Sequence, residues 1–268
     1  MKMMRKLLLT WLAWGVALSI SAPIFLMLLT ALKSNVDALE PSRLLFIPTL
    51  DNFIAAGSPS GIQRPLLNSV VEAGGATALC FLLALPTAYA LALCNAKHRR
   101  AVLHGMLMTR FMPGIGVAIP MYLIFNAVGL IDTKLALIVI YTTTNLPIVV
   151  WMLFSYLREL PPGILESGQM DGATVRQQII FVLVPLCLPG LCSTALLSVV
   201  LCWNEAFWSV QMTSLEGAPL SAYISTLSND LLWGRLSAAS LLAIGSILLI
   251  GWLTQRQFVR GLTFGAVQ

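Results

Sequence analysis

An all-α integral membrane protein of six transmembrane helices is the fold class this sequence predicts, and three observations lead there. Hydrophobic residues fill 58% of its 268 positions and charged residues only 10%, against roughly 45–50% and about 25% in soluble domains. Six apolar runs are each long enough to cross a hydrocarbon core about 30 Å thick, which takes roughly 20 helical residues. The 16 Lys and Arg lie in short groups between those runs rather than on one face. That spacing speaks for membrane topology and against a nucleic-acid partner, despite a net charge of +5.

The first span runs from Leu7 to Leu32. Lys2, Arg5 and Lys6, an apolar stretch and Ser19-Ile20-Ser21-Ala22 resemble a secretory signal, but apolarity continues past Pro23, so a retained helix is expected. An external connection over residues 33–66, punctuated by Pro41, Pro48, Gly57, Pro59 and Gly61, leads to the second span, Leu67 to Cys94, with Glu72 read as interfacial. The third, Val102 to Val128, carries Arg110, expected to snorkel to the interface, and Pro113-Gly114, Gly116 and Pro120, where a helix bends or packs closely. Asn145 and Pro147 interrupt the fourth, Leu135 to Leu157, and predict a kink that exposes backbone groups to a cavity. Pro185 and Pro189 enter the fifth, Val182 to Val210. The sixth runs from Leu236 to Leu253, after a second external connection over residues 211–235. The organisation expected is a first helix with its external connection over residues 1–66, and a five-helix core over 67–268.

Positive charge orients the bundle. Lys2, Arg5, Lys6, Lys97, Arg99, Arg100, Arg158, Arg176, Arg256 and Arg260 lie on one side. Lys33, Arg43, Arg64, Lys134 and Arg235 lie on the other, interspersed with carboxylates. Both termini are therefore expected in the cytoplasm. The odd set Cys80, Cys94, Cys187, Cys192 and Cys202 has no CxxC spacing, so these read as packing residues rather than a disulfide framework or metal site.

One cytoplasmic segment has the pattern of a rigid lever. From Arg158 to Phe181, Pro161 and Pro162 can start a short helix whose apolar side is Ile164, Leu165 and Met170. Gly172 permits a turn with positive φ, and Asp171 or Thr174 can cap the helix that follows. A helix, tight bend and helix of this kind suits a groove in another protein. The alternative, a helix lying on the membrane surface, fits poorly with two acidic groups, Glu166 and Asp171, and few cations.

Glu166, Gly172 and Pro185 stand at the spacing of the EAA motif, and the segment resembles that of permeases of binding-protein-dependent ABC importers. Ser167 and Gly168 replace the two alanines of the pattern, and Val182 and Val184 its Ile and Leu. Ala31-Leu-Lys-Ser34, Pro48-Thr-Leu-Asp-Asn-Phe53, Leu67-Asn-Ser69, Ala88-Tyr-Ala-Leu-Ala92, Trp203-Asn-Glu205 and the tail from Gln257 to Val267 extend the resemblance to the maltose-type carbohydrate importers. They are similar to the shorter six-helix permease of the pair. The resemblance implies a type I importer permease in the bacterial cytoplasmic (inner) membrane, paired with a second permease, two copies of an ABC ATPase and an extracytoplasmic sugar-binding protein. It also implies that Glu166, Ser167, Gly168, Asp171, Gly172, Ala173, Arg176 and Pro185 couple the chain to the ATPase.

Within the spans, Asn204 and Glu205, set between Trp203 and Phe207-Trp208, have the chemistry of a sugar contact: aromatic faces for CH surfaces, amide and carboxylate for hydroxyls. Asn145 is a further pathway candidate. The competing reading places Asn204 and Glu205 against the second permease or the docked binding protein. No GxxxxGK[ST], HExxH or GxSxG segment is present. The chain is thus expected not to be an enzyme and to bind no cofactor or metal itself, ATP and Mg belonging to the partner ATPase. An ion-coupled secondary transporter or channel is the alternative function, though it would call for inverted repeats and midplane carboxylates.

Overall fold

The computed structural model describes residues 2–263 except 41, 44, 59, 60, 94 and 162, and for residues 2–5, 166, 169 and 253–263 it describes the backbone alone. Pro41, Pro59, Cys94, Pro162, the side chain of Glu166, and the tail from 264 onward with the side chains of Arg256 and Arg260 therefore lie outside the described residues. Helix is the main element, and no strand occurs among the described residues. Four helices are long and apolar enough to cross a membrane alone: α1 (Lys2–Ala31), α3 (Gln63–Leu93), α6 (Lys134–Arg158) and α11 (Trp233–Thr263). A short α2 (Asp51–Gly57) precedes α3.

The remaining two spans are broken rather than straight. The pair α4 (Ala96–Arg110) and α5 (Gly114–Ala127) bends by 86°, and the pair α8 (Val175–Leu186) and α9 (Leu188–Trp203) by 87°. Counting each pair as one span brings the total to six. The first break falls just before Pro113, which drives its predecessor Met112 out of the helical region, and the second falls at Cys187 (φ −94°, ψ 8°), two residues ahead of Pro189. A π-helical stretch over Gln178–Leu183 widens α8 directly ahead of Pro185, which has no N–H to donate and crowds the carbonyl four residues back. Pro147, by contrast, lies within α6, which runs as one helix from Lys134 to Arg158.

The chain divides into two compact units, residues 1–64 with 223–246 and residues 65–222 with 247–268. In the first, the buried Asn52 donates its amide to the carbonyls of Ala31 at 2.9 Å and Lys33 at 2.7 Å, tying α2 to the end of α1. Gly234 sits where a Cβ would lie 2.5 Å from the Asn52 amide. Most of α1 exposes its apolar side chains, Trp11 and Trp14 among them. That exposure suits a helix dissolved in lipid.

In the second unit, Cys80, Ala84 and Tyr89 of α3 pack with Val149, Val150 and Leu153 of α6 and with Leu183 and Cys187 at the end of α8. Small residues permit close helix approach: a Cβ on Gly190 of α9 would lie 2.5 Å from the Tyr156 ring of α6. Asn68 and Ser69 of α3 hold the loop after residue 213, Asn68 donating to the carbonyls of Glu216 and Ala218 and Ser69 Oγ accepting from the N–H of Leu220. Asn95 and Thr133 cap α4 and α6 with their side chains.

Candidate functional site

Two places in the second unit carry polar groups with defined geometry. The first is the segment after α6. Gly163 takes φ +93°, so α7 (Ile164–Met170) starts after it rather than at the prolines. Leu165 packs toward the core cluster while Met170 is 89% exposed, which leaves a projecting apolar tip. Gly172 turns the chain at φ +76°, a conformation costly for a side-chain-bearing residue.

Thr174, rather than Asp171, then caps α8 in a reciprocal capping box with Gln177. Ser167, Asp171, Gly172 and Arg176 are exposed, Gly168 and Ala173 half-buried, and Pro185 is exposed on α8. The backbone of Glu166 lies within α7. A Cβ on Gly168 would meet Gln178 Cγ at an ordinary 3.6 Å, so the alanine of the motif would fit there.

The loop is joined to the membrane bundle by a residue that the sequence reading missed. Gln178 is 1% exposed; its Nε2 donates to the Ala173 carbonyl at 3.0 Å, and its Oε1 accepts from Tyr89 Oη of α3 at 2.7 Å. This buried hydrogen-bonded chain fixes the bend of the loop to a helix distant in sequence. Its place directly before the apolar run Ile179-Ile180-Phe181-Val182 was the available signal.

The second place is a cavity of about 590 Å³, walled by α4, α5, α6, α9 and α10 (Phe207–Met212). Asn145, Asn204 and Glu205 line it together. Trp203 is instead buried, and Trp208 supplies the aromatic wall, edge-on to Phe207 at 5.2 Å. Arg110 does not snorkel away from the bundle: its Nη1 donates to the Thr144 carbonyl at 2.6 Å and to Asn145 Oδ1 at 3.1 Å, inside the cavity.

The break before Pro113 explains this, because it turns the end of α4 toward α6. Asn145 Nδ2 in turn donates to Cys202 Sγ at 3.2 Å. Glu205 Oε1 accepts from the N–H of Trp208 in the first turn of α10, and the Glu205 carbonyl accepts from Tyr141 Oη and Ser221 Oγ. Glu72 is 1% exposed within α3, away from the cavity lining, and neither carboxylate oxygen has a hydrogen-bond partner among the described residues.

A clamp joins the turn between α5 and α6 to the chain leaving α10. Asp132, between α5 and α6, adopts φ +58° and accepts the N–H groups of Ser214, Leu215, Glu216 and Gly217 on its carboxylate at 2.9–3.3 Å. Burial pushes this carboxyl up, but the N–H groups of Ser214, Glu216, Gly217 and Leu215 outweigh that and bring it down to about 2. Gly217 is required there, since a Cβ would come 2.9 Å from the Asp132 carbonyl oxygen.

Residues 81–261 match the family described as "Binding-protein-dependent transport system inner membrane component". An inner membrane ABC transporter permease protein of Escherichia coli (strain K12) is 32% identical, over 92% of this chain and 90% of its own length. A trehalose transport system permease protein of Mycobacterium tuberculosis is 28% identical over 82% of each chain. Among solved structures, a chain from a bacterial ABC transporter that imports the acidic polysaccharide alginate superposes with a TM-score of 0.76 at 18% identity, covering 95% of this chain and 96% of that one. That likeness establishes the type I importer permease fold.

Proposed function

Starting from the premise that this chain belongs to the binding-protein-dependent transport system inner membrane components, we propose that it is the permease subunit of an ATP-driven importer that moves a sugar or related polyol into the cell. It is a multi-pass membrane protein, set in the cytoplasmic (inner) membrane with both termini inside. A second permease completes the pathway, an extracytoplasmic binding protein delivers the cargo, and two copies of a separate ATPase bind ATP and Mg. The trehalose permease relative supports the sugar assignment. Family membership in binding-protein-dependent systems argues against the ion-coupled alternative.

The observation that carries the coupling role is the projecting tip at Met170, held between two positive-φ glycines and wired to α3 through Gln178 and Tyr89. Residues Glu166 to Arg176 dock in a groove of the ATPase, with Met170 as apolar anchor. One conformational equilibrium biases another only through contacts that differ between their states. A loop rigidly bonded to a membrane helix meets that requirement, because ATPase closure moves it as a body and the buried Gln178–Tyr89 bond passes the displacement to α3. At the other end, Asn145, Asn204, Glu205 and Trp208 offer the cargo hydrogen-bonding groups and an aromatic face.

A photoreactive amino acid at position 170 tests the docking in the purified, assembled importer. Capture of the ATPase subunit is expected, and its yield should change between nucleotide-free and ATP-bound states. An assembled complex in which position 170 captures only lipid or the second permease would overturn the assignment, as would substrate uptake by this chain without any ATPase.

A further inference from the structure

Arg110 is the cation lining the cavity, an exposed residue at the last position of α4 within a membrane-spanning pair. It has no carboxylate partner among the described residues. Both of its hydrogen bonds leave from Nη1, to the Thr144 carbonyl and to Asn145 Oδ1, neutral acceptors that fix the guanidinium plane without balancing its charge. The remaining Nη2 and Nε donors form the planar fork that matches a two-oxygen anion.

The other charged group on the wall is Glu205, and its situation differs. Its Oε1 accepts from the N–H of Trp208 at 3.2 Å, in the first turn of α10. Asn145 is held in turn by Cys202 Sγ, so the arrangement that orients Arg110 is built on α6 and α9 together. The cavity thus contains one carboxylate that accepts a backbone N–H and one guanidinium left with an open fork.

We propose that Arg110 selects cargo bearing an anionic oxygen group, a carboxylate, sulfonate or phosphate carried on a saccharide or polyol. The inference rests on the importer reading and refines its substrate class. Asn204, Glu205 and Trp208 then handle the hydroxyls and CH faces of the sugar, while Arg110 pairs with the acidic substituent. The cargo's anion gives the guanidinium fork a two-oxygen partner only while it occupies the cavity. Occupancy and electrostatic relief are therefore coupled at one side chain.

The test uses the complete importer in proteoliposomes, with saturating binding protein and ATP. The probes are a uronate-containing disaccharide and its methyl ester, which differ in charge and little else. Wild type should take up the uronate at least roughly tenfold faster than the ester, the size expected for a hydrogen-bonded charge pair. Arg110→Gln should erase most of that ratio, and Arg110→Lys should keep part of it. Comparing ratios between variants cancels the binding protein's own preference, and Arg110→Lys supplies the comparison where Arg110→Gln fails to assemble.

Equal uptake of acid and ester by wild type, or an unchanged ratio in Arg110→Gln, would overturn the proposal. Either result would leave the importer reading intact and would point to a carboxylate of the partner permease as the group facing Arg110. Absence of ATP-dependent uptake for every saccharide tried would sink both readings together.

Discussion

The cytoplasmic loop and the membrane cavity are held together in opposite ways. The loop's bonds are short in sequence: Thr174 to Gln177 is three residues and Gln178 to Ala173 five. The cavity's bonds are long: Arg110 reaches 34 residues to Thr144, Tyr141 reaches 64 to Glu205, and Asp132 reaches 82 to Ser214. A locally bonded element keeps its shape when the rest of the chain moves, which suits a part that takes up force. A wall assembled from distant segments changes shape when any of them shifts, which suits a pathway that must open and close. Gln178 belongs to both worlds, since its second bond crosses 89 residues to Tyr89.

Breaking that junction gives the largest expected effect. Gln178→Leu leaves the Tyr89 hydroxyl and the Ala173 carbonyl without their partner, at a cost of about 1–3 kcal/mol for a buried group so orphaned. The melting temperature of the purified importer should fall, along with cargo-stimulated ATP hydrolysis. Adding Tyr89→Phe removes one of the orphaned groups and should recover much of the stability. Coupling should stay low in the double variant, because the bridge itself is gone. Recovery of coupling together with stability would show that the bond only packs the bundle.

The next effect is confined to the loop. Gly172→Val forces a β-branched residue into φ +76°, with a local penalty of about 1–2 kcal/mol, a factor of roughly five to thirty in the population of the docking-competent bend. No other atom lies within 4 Å of a Cβ there, so packing contributes nothing to the change. ATP-driven uptake should drop while insertion, expression and cargo binding by the importer stay at wild-type levels. Unchanged uptake would mean that the bend is not part of the coupling.

How much of each region could be read from the sequence follows the same division. The loop was legible because its bend glycine, its cap at Thr174 and its exposed Met170 all sit within one short window. The start of α7 was misplaced only because Gly163 adopts positive φ. In the cavity, Asn145, Asn204 and Glu205 were identifiable as polar residues in apolar runs, but their convergence was not. Arg110 reads as a snorkelling residue because it sits a third of the way into the third span from the cytoplasmic side; its bonds to Thr144 and Asn145 lie beside an 86° break between α4 and α5 that sequence spacing does not predict. Trp203 and Trp208 lie five positions apart on either side of a helix break, and spacing alone could not say which faces inward. The Asp132 clamp escaped notice because an aspartate in a loop looks like any solvated charge until four N–H groups from a distant segment surround it.

That clamp supplies the smallest of the predicted effects and the sharpest test of the long-range design. Asp132 joins the turn between α5 and α6 to the chain leaving α10, so it pins walls of the cavity that meet nowhere nearby in sequence. Because its carboxyl is depressed in the folded protein, from 3.8 to about 2, its contribution is fully present above about pH 4 and is lost as pH falls through about 2. Asp132→Asn should therefore lower the melting temperature at neutral pH modestly, by the equivalent of about 1 kcal/mol after discounting for solvent exposure. The gap to wild type should close progressively below pH 4. A gap that stays constant from pH 7 down to pH 3 would show that the amide substitution acts through shape rather than charge. It would also remove electrostatic clamping from the account of how the distant cavity walls are held.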